Sequence, residues 1–184
     1  RGKLRGICGS GVVDAIAVLR QLEVIDATGR LLTADEVAAG PGRALAASVV
    51  PHGRSRAFVL ATAEQTAIDR PIVITQQDIR QLQLAKGAIR AGIEIMMATL
   101  GARPEDVGRV YLAGAFGNYL NHASARRIGL LNVPPDAVEA AGNTALLGAK
   151  LALFADSDYA GLRAAIEHVP LGADPAFQER YVEC

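Results

Sequence analysis

Residues 75–100 constrain the fold more than any other stretch of the chain. Thr75 is followed three residues later by Asp78, the reciprocal capping pattern that starts a helix. Ile79, Leu82, Ile89, Ile93, Met96 and Leu100 then fall on one apolar stripe, and Gly101 with Pro104 supplies a stop. The spacing predicts one helix of about 25 residues, long for a small domain. Gly87 and Gly92 lie inside it at about 1 kcal/mol each relative to alanine, so a neighbouring element is expected to pack closely there.

Around this helix the pattern alternates. Gly9-Ser10-Gly11 reads as a tight turn feeding a helix that runs to about Glu23. Residues 24–56 carry a turn at Asp26-Ala27-Thr28-Gly29, a short helix from Thr33 to Ala39 and a breaker at Gly40-Pro41-Gly42. They read as a small insertion outside the core. Residues 57–61, 71–74 and 109–113 read as strands, and so does 168–171. Further helices are expected over 121–128, 144–154 and 157–166, with Asp174-Pro175 capping a terminal one. Strands alternating with helices imply a single α/β domain over 1–184, a mixed sheet flanked by helices.

The chain has 184 residues, 51% hydrophobic and 21% charged, so roughly 70% of its unfolded surface can be buried without disulfide or metal. Its formal net charge is +0, which gives no broad attraction to nucleic acid or to an anionic membrane. Aromatics make up 4% and tryptophan is absent, a poor platform for stacking single-stranded bases. No apolar run approaches the ~18 residues of a membrane span. The two cysteines, Cys8 and Cys184, cannot supply a zinc site or a four-cysteine iron–sulfur cluster from this chain alone, so no metal site is expected. Such sparse cysteine usage suits a reducing cytoplasm. The first residue is Arg1 rather than methionine and a glycine motif follows almost at once, so the chain reads as a fragment of a longer protein.

Several nucleotide and hydrolase signatures are missing. Residues 142–150 have the wrong spacing for a phosphate-binding P-loop, and Gly9-Ser10-Gly11-Val12-Val13 continues with Asp14 where a dinucleotide fingerprint needs its third glycine. Ser10 does not sit in a nucleophile elbow, and His52, His122 and His168 are scattered. Arg126-Arg127 could face a phosphate, a partner or only water, and water is the favoured reading. Two glycine turns remain. Gly9, Ser10 and Gly11 stand at a helix start, where free amides and the helix dipole favour phosphate or the edge of a nucleoside. Asp14, one turn further, has a carboxylate that suits a ribose hydroxyl. Gly114-Ala115-Phe116-Gly117-Asn118 leaves the end of an apolar strand, where glycine lets a flat base approach the backbone.

These residues carry a resemblance. Val110-Tyr111-Leu112-Ala113-Gly114-Ala115-Phe116-Gly117-Asn118-Tyr119 is similar to the adenosine motif of the actin-like, sugar-kinase-like ATPase superfamily, whose core is ribonuclease H-like. Cys8-Gly9-Ser10-Gly11-Val12-Val13-Asp14 looks like the glycine-led helix that follows its second phosphate strand pair. Within it, the chain resembles the C-terminal domain of reductive activators of corrinoid proteins from about Gly6 to Glu183. Ile74-Thr75-Gln76-Gln77-Asp78-Ile79-Arg80, Gln83 to Ile93, Arg127-Ile128-Gly129-Leu130-Leu131 and Asp174-Pro175-Ala176-Phe177-Gln178 carry that likeness.

The resemblance implies an ATPase domain coupled to electron transfer, and the excess of alanine and arginine suggests a GC-rich bacterial genome. A two-iron two-sulfur ferredoxin-like domain would lie upstream in the parent chain, and ATP would drive reduction of cob(II)amide to cob(I)amide on a partner corrinoid protein. It implies ATP or ADP as cofactor, with magnesium in the full protein and a homodimer as one possible assembly. Gly9, Ser10, Gly11, Asp14, Gly114, Ala115, Phe116, Gly117 and Asn118 would touch nucleotide, both turns facing one cleft. The acidic phosphate strands lie upstream, so this piece alone is expected to be inactive, and no catalytic residue is singled out. Two other readings stay open: a small-molecule kinase or hydantoinase-like enzyme of the same fold, and a non-catalytic docking module for a corrinoid partner.

Overall fold

The structure, a computed structural model, describes residues 3–154 and 159–183. They fall into two compact units, residues 1–86 with 123–131 and residues 87–122 with 132–184.

In the first unit α1 (Gly9–Gln21) and α2 (Ala34–Ala38) accompany a three-stranded antiparallel sheet of order β1-β2-β3. Its strands are β1 (Val49–His52), β2 (Ser55–Ala61) and β3 (Ile72–Thr75). The register sets Val49 opposite Phe58 and Phe58 opposite Ile74, which puts these apolar side chains on one face. Ile16, Leu19, Val24, Ile25, Leu31, Val37, Val49, Phe58, Ile74 and Ile79 form one buried cluster. Residues 24–56, expected outside the core, therefore supply half of it. Val24, Ile25, Leu31 and Val37 are each at most 1% exposed. A sequence rich in turn residues masked them, because the apolar side chains come in short runs broken by turn and polar residues, with no sustained helix or strand period.

The helix α3 (Gln76–Leu100) has 25 residues, about 37 Å long, and begins in the first unit. Its reciprocal cap is present: Asp78 Oδ2 accepts from Thr75 N at 2.8 Å, and Thr75 Oγ1 accepts from Asp78 N at 3.1 Å. Leu84, Ile89, Ile93, Met96 and Leu100 are exposed, so the expected apolar stripe is not the buried face along its second half. The buried line there runs through Gly87, Ala91, Gly92 and Ile95. Small residues win because they let other segments come close: a Cβ on Gly87 would stand 3.0 Å from the Tyr181 carbonyl oxygen, and one on Gly92 would stand 3.1 Å from the Leu171 side chain at Cδ1.

In the second unit β4 (Val110–Ala113) and β5 (Val138–Gly142) form a two-stranded parallel sheet. Here lie α4 (Gly114–Tyr119), α6 (Thr144–Phe154), α7 (Tyr159–Ala164) and α8 (Pro175–Glu183), while α5 (His122–Arg127) falls almost wholly in the first. Asp174 Oδ1 accepts from Ala176 N at 2.8 Å, the expected cap of α8. Residues 168–171 are not a strand. Residues 166–170 are irregular and Leu171–Ala173 is a single 3-10 turn, because Pro170 has no amide to give a ladder and Gly172 weakens a strand. Arg1, Cys184 and the first residues of the helix expected from 157 lie outside the described residues.

Candidate functional site

The glycines at the start of α1 form its first turn rather than a loop before it. Cys8 is the N-cap, in extended conformation, and the first intrahelical bond runs from Val12 N to Cys8 O at 2.9 Å. The amides of Gly9, Ser10 and Gly11 precede that bond and have no carbonyl in the helix to receive them. A Cβ on Gly11 would lie 2.9 Å from Ile7 Cγ1, so a larger residue there would have to push the Ile7 side chain aside. Cys8 Sγ and Ser10 Oγ are 3.3 Å apart. That contact first, and the Gly11 amide second, hold the Cys8 thiol below its ordinary pKa. Sequence reasoning weighed Cys8 only as a cluster ligand. Its position one residue before a glycine-led helix was the signal for an activated thiol.

Asp14 stands in the second turn of α1. Its Oδ1 is buried and has no hydrogen-bond partner. A desolvated carboxylate oxygen left unmatched costs about 1–3 kcal/mol or more.

The second turn begins where β4 ends. Gly114 follows Ala113 with φ +82, a backbone conformation that disfavours any side chain, and a Cβ there would meet nothing within 4 Å. Ala115, Phe116 and Asn118 are exposed, Phe116 by 50%. Gly117 is buried, and a Cβ on it would stand 3.1 Å from the Leu112 carbonyl carbon. Its small size seats α4 on β4, so the open glycine of this pair is Gly114. The parallel partner strand ends alike: Gly142 pairs with Ala113 and has φ +65 with open space where its Cβ would be. Asn143 Oδ1 then accepts from Leu146 N at 3.0 Å to start α6. Two glycines thus leave the carboxyl ends of two adjacent parallel strands, the edge at which α/β sheets take ligands. Gly142 was visible only as a helix entry, because Val138-Glu139-Ala140-Ala141 is weak strand sequence.

The two turns belong to different units, Gly9–Asp14 to the first and Gly114–Asn118 to the second. Among the described residues no group of three or more His, Cys, Asp or Glu side chains could hold a metal ion, and no helix is long and apolar enough to cross a membrane.

The fold and these glycine-led ends define an α/β domain of the actin-like ATPase class. The chain belongs to the family described as the C-terminal domain of RACo, the ASKHA domain, which matches residues 1–184. It is 37% identical over 183 residues to the corrinoid activation enzyme RamQ of Eubacterium limosum, covering 97% of this chain and 30% of RamQ. It is 35% identical over 75 residues to the [Co(II) methylated amine-specific corrinoid protein] reductase of Methanosarcina barkeri, 41% of this chain and 14% of that protein. A solved structure of a reductive activator for corrinoid, iron-sulfur protein superposes with a TM-score of 0.81 at 32% identity, over 96% of this chain and 27% of the other. The chain therefore spans about a third or less of the relatives it matches.

Proposed function

We propose that this chain is the nucleotide-binding C-terminal domain of an ATP-dependent reductive activator of a corrinoid protein. Family membership and relatives named for corrinoid activation support the reading. Electrons would come from a two-iron two-sulfur domain elsewhere in the parent chain. They would reduce cob(II)amide on a corrinoid partner to cob(I)amide, with ATP and magnesium bound in the complete protein. The compartment proposed is the cytoplasm.

The residues proposed to touch nucleotide are, in the first unit, Gly9, Ser10, Gly11 and Asp14, and in the second Gly114, Ala115, Phe116, Gly117 and Asn118. The amides that open α1 suit a phosphate or a sugar edge. The observation that carries the reading is Asp14 Oδ1, buried without a partner. A ribose hydroxyl would satisfy it. Gly114 leaves room for a base plane to reach the backbone.

This assignment separates binding from folding. Removing a carboxylate that has no partner in the chain should leave thermal stability unchanged or slightly raised, whereas ATP affinity should fall about tenfold for a lost charge-assisted hydrogen bond. Calorimetry of Asp14→Ala and Gly114→Val in the intact protein, with ATP, reads the binding. Absorbance of cob(I)amide formed on the corrinoid partner reads the activity. Wild-type ATP affinity in Asp14→Ala would remove Asp14 from the site, and ATP-independent reduction would remove the proposed function.

A further inference from the structure

The first unit contains a cavity of about 310 Å³ at the far end of α1 from the glycine turn. Arg20, on its wall, lies 11 residues beyond Gly9, about 16 Å along the helix axis. The floor is apolar, from Ile16, Ile25, Ile79, Leu82 and Ile128. Around it stand four cations: Arg20, Lys86, Arg126 and Arg127. Among the described residues none of the four takes part in an ion pair. The carboxylate on the wall, Asp26, is already engaged by Thr28 Oγ1 at 2.6 Å and by Arg30 Nε at 3.0 Å. In a chain of net charge +0, four unpaired cations around one apolar recess are a local excess that an anion would balance.

The walls are built and held. Gln76 Nε2 donates to Gly29 O at 2.8 Å while its Oε1 accepts from Leu31 N at 2.8 Å, and Gln83 Nε2 donates to Thr28 O at 3.0 Å. These bonds fix the 26–29 turn on α3. Gly129 N to Arg126 O at 3.0 Å and Leu130 N to Ala125 O at 2.8 Å close the opposite turn. Lys86 Nζ reaches that turn, 3.7 Å from where a Cβ of Gly129 would be. The exposed arginine pair also lines this ligand-sized recess.

We propose that this cavity binds an organic phosphate monoester with a compact apolar body. Arginine pairs grip phosphate oxygens through two donors at once, and a lysine adds a point charge. The aliphatic floor takes the body and excludes inorganic ions as good ligands. Its volume lies at the small end of the range for organic ligands, which favours a one- or two-ring body over a larger one. None of the residues proposed for ATP lines it.

Calorimetry of the intact protein with 1-naphthyl phosphate tests this, with inorganic phosphate as comparator. One equivalent should bind, at least about tenfold tighter than inorganic phosphate, and saturating ATP should not displace it. The exposed double variant Arg126→Gln/Arg127→Gln, and separately Lys86→Gln, should each weaken it about tenfold, whereas Arg54→Gln on the β1–β2 hairpin should not. Thermal melts check that the variants remain folded. No binding of the probe overturns the proposal, as do equal affinity for inorganic phosphate and unchanged affinity in both cavity variants. Displacement by ATP overturns the separate site while leaving the nucleotide reading intact, and loss of ATP binding in Asp14→Ala bears on that reading alone.

Discussion

At Gly148, midway along α6, a Cβ would meet nothing within 4 Å; at Gly87, inside α3, it would press on the Tyr181 carbonyl at 3.0 Å and the tyrosine ring at 3.3 Å. Alanine improves helix propensity by about 1 kcal/mol at either site. Gly148→Ala should realise that gain. Gly87→Ala should lose on the order of 1 kcal/mol net, because the clash is with backbone and an overpacked contact costs about 1–3 kcal/mol. Urea unfolding of the two variants side by side checks the sign of each. Cys8 makes a second case at this scale. Its thiol is held low chiefly by Ser10, so it should alkylate with iodoacetamide at a lower pH than a free cysteine, and Ser10→Ala should move that profile upward. Identical profiles for the two proteins would show that Ser10 has no such effect.

The turn and helix between Asp26 and Glu36 are tied by one arginine. Arg30 Nε bonds Asp26 Oδ2 at 3.0 Å, and Arg30 NH1 bonds Glu36 Oε2 at 3.1 Å. Thr28 first, then the Arg30 amide, hold Asp26 down to about 2; Arg30 first, then Thr33, hold Glu36 down to about 2. Both carboxyls titrate lower in the folded chain than unfolded. Their stabilisation is therefore complete above the ordinary carboxylate range, near pH 4, and is lost as pH falls toward 2. Urea midpoints should hold steady from neutral pH down to about 5 and fall below about 4. Arg30→Met should raise the Glu36 titration more than that of Asp26, read by carboxyl NMR, since Arg30 is the main partner of Glu36 only. Elements closed by such local chemistry were legible in the sequence: Thr75 with Asp78, Thr33 with Glu36 and Asp174 before Pro175 cap the helices that they announce. Elements resting on long-range pairing were not. β1 contains Pro51, which the sheet tolerates because β1 is an edge strand, and β5 has glutamate and alanines in place of branched residues. The candidate site divides the same way: Gly114 and Asp14 could be named from motif and spacing, whereas Gly142 required knowing that β5 lies beside β4.

Over the whole molecule, apolar surface is distributed unevenly. The first unit gathers its large side chains into one buried cluster, whereas α6 in the second carries Leu146, Leu147, Leu151, Leu153 and Phe154 between 51% and 88% exposed. Gly148, midway along this helix, has open space around it. A soluble chain seldom leaves so many large apolar groups on one helix uncovered. The match also covers only 30% of RamQ and 27% of the solved activator, so most of those proteins lies outside the matched segment. Within this chain α6 gains little from its leucines, and replacing them should cost little. Leu147→Glu with Leu151→Glu should shift the unfolding free energy of the isolated chain by no more than about 0.5 kcal/mol per site, the usual range for surface substitutions, and should reduce its self-association in gel filtration. A buried leucine would instead cost about 2–5 kcal/mol on truncation. Urea unfolding of the double variant decides between these values, and a loss in the larger range would mean that α6 is packed in the isolated chain after all.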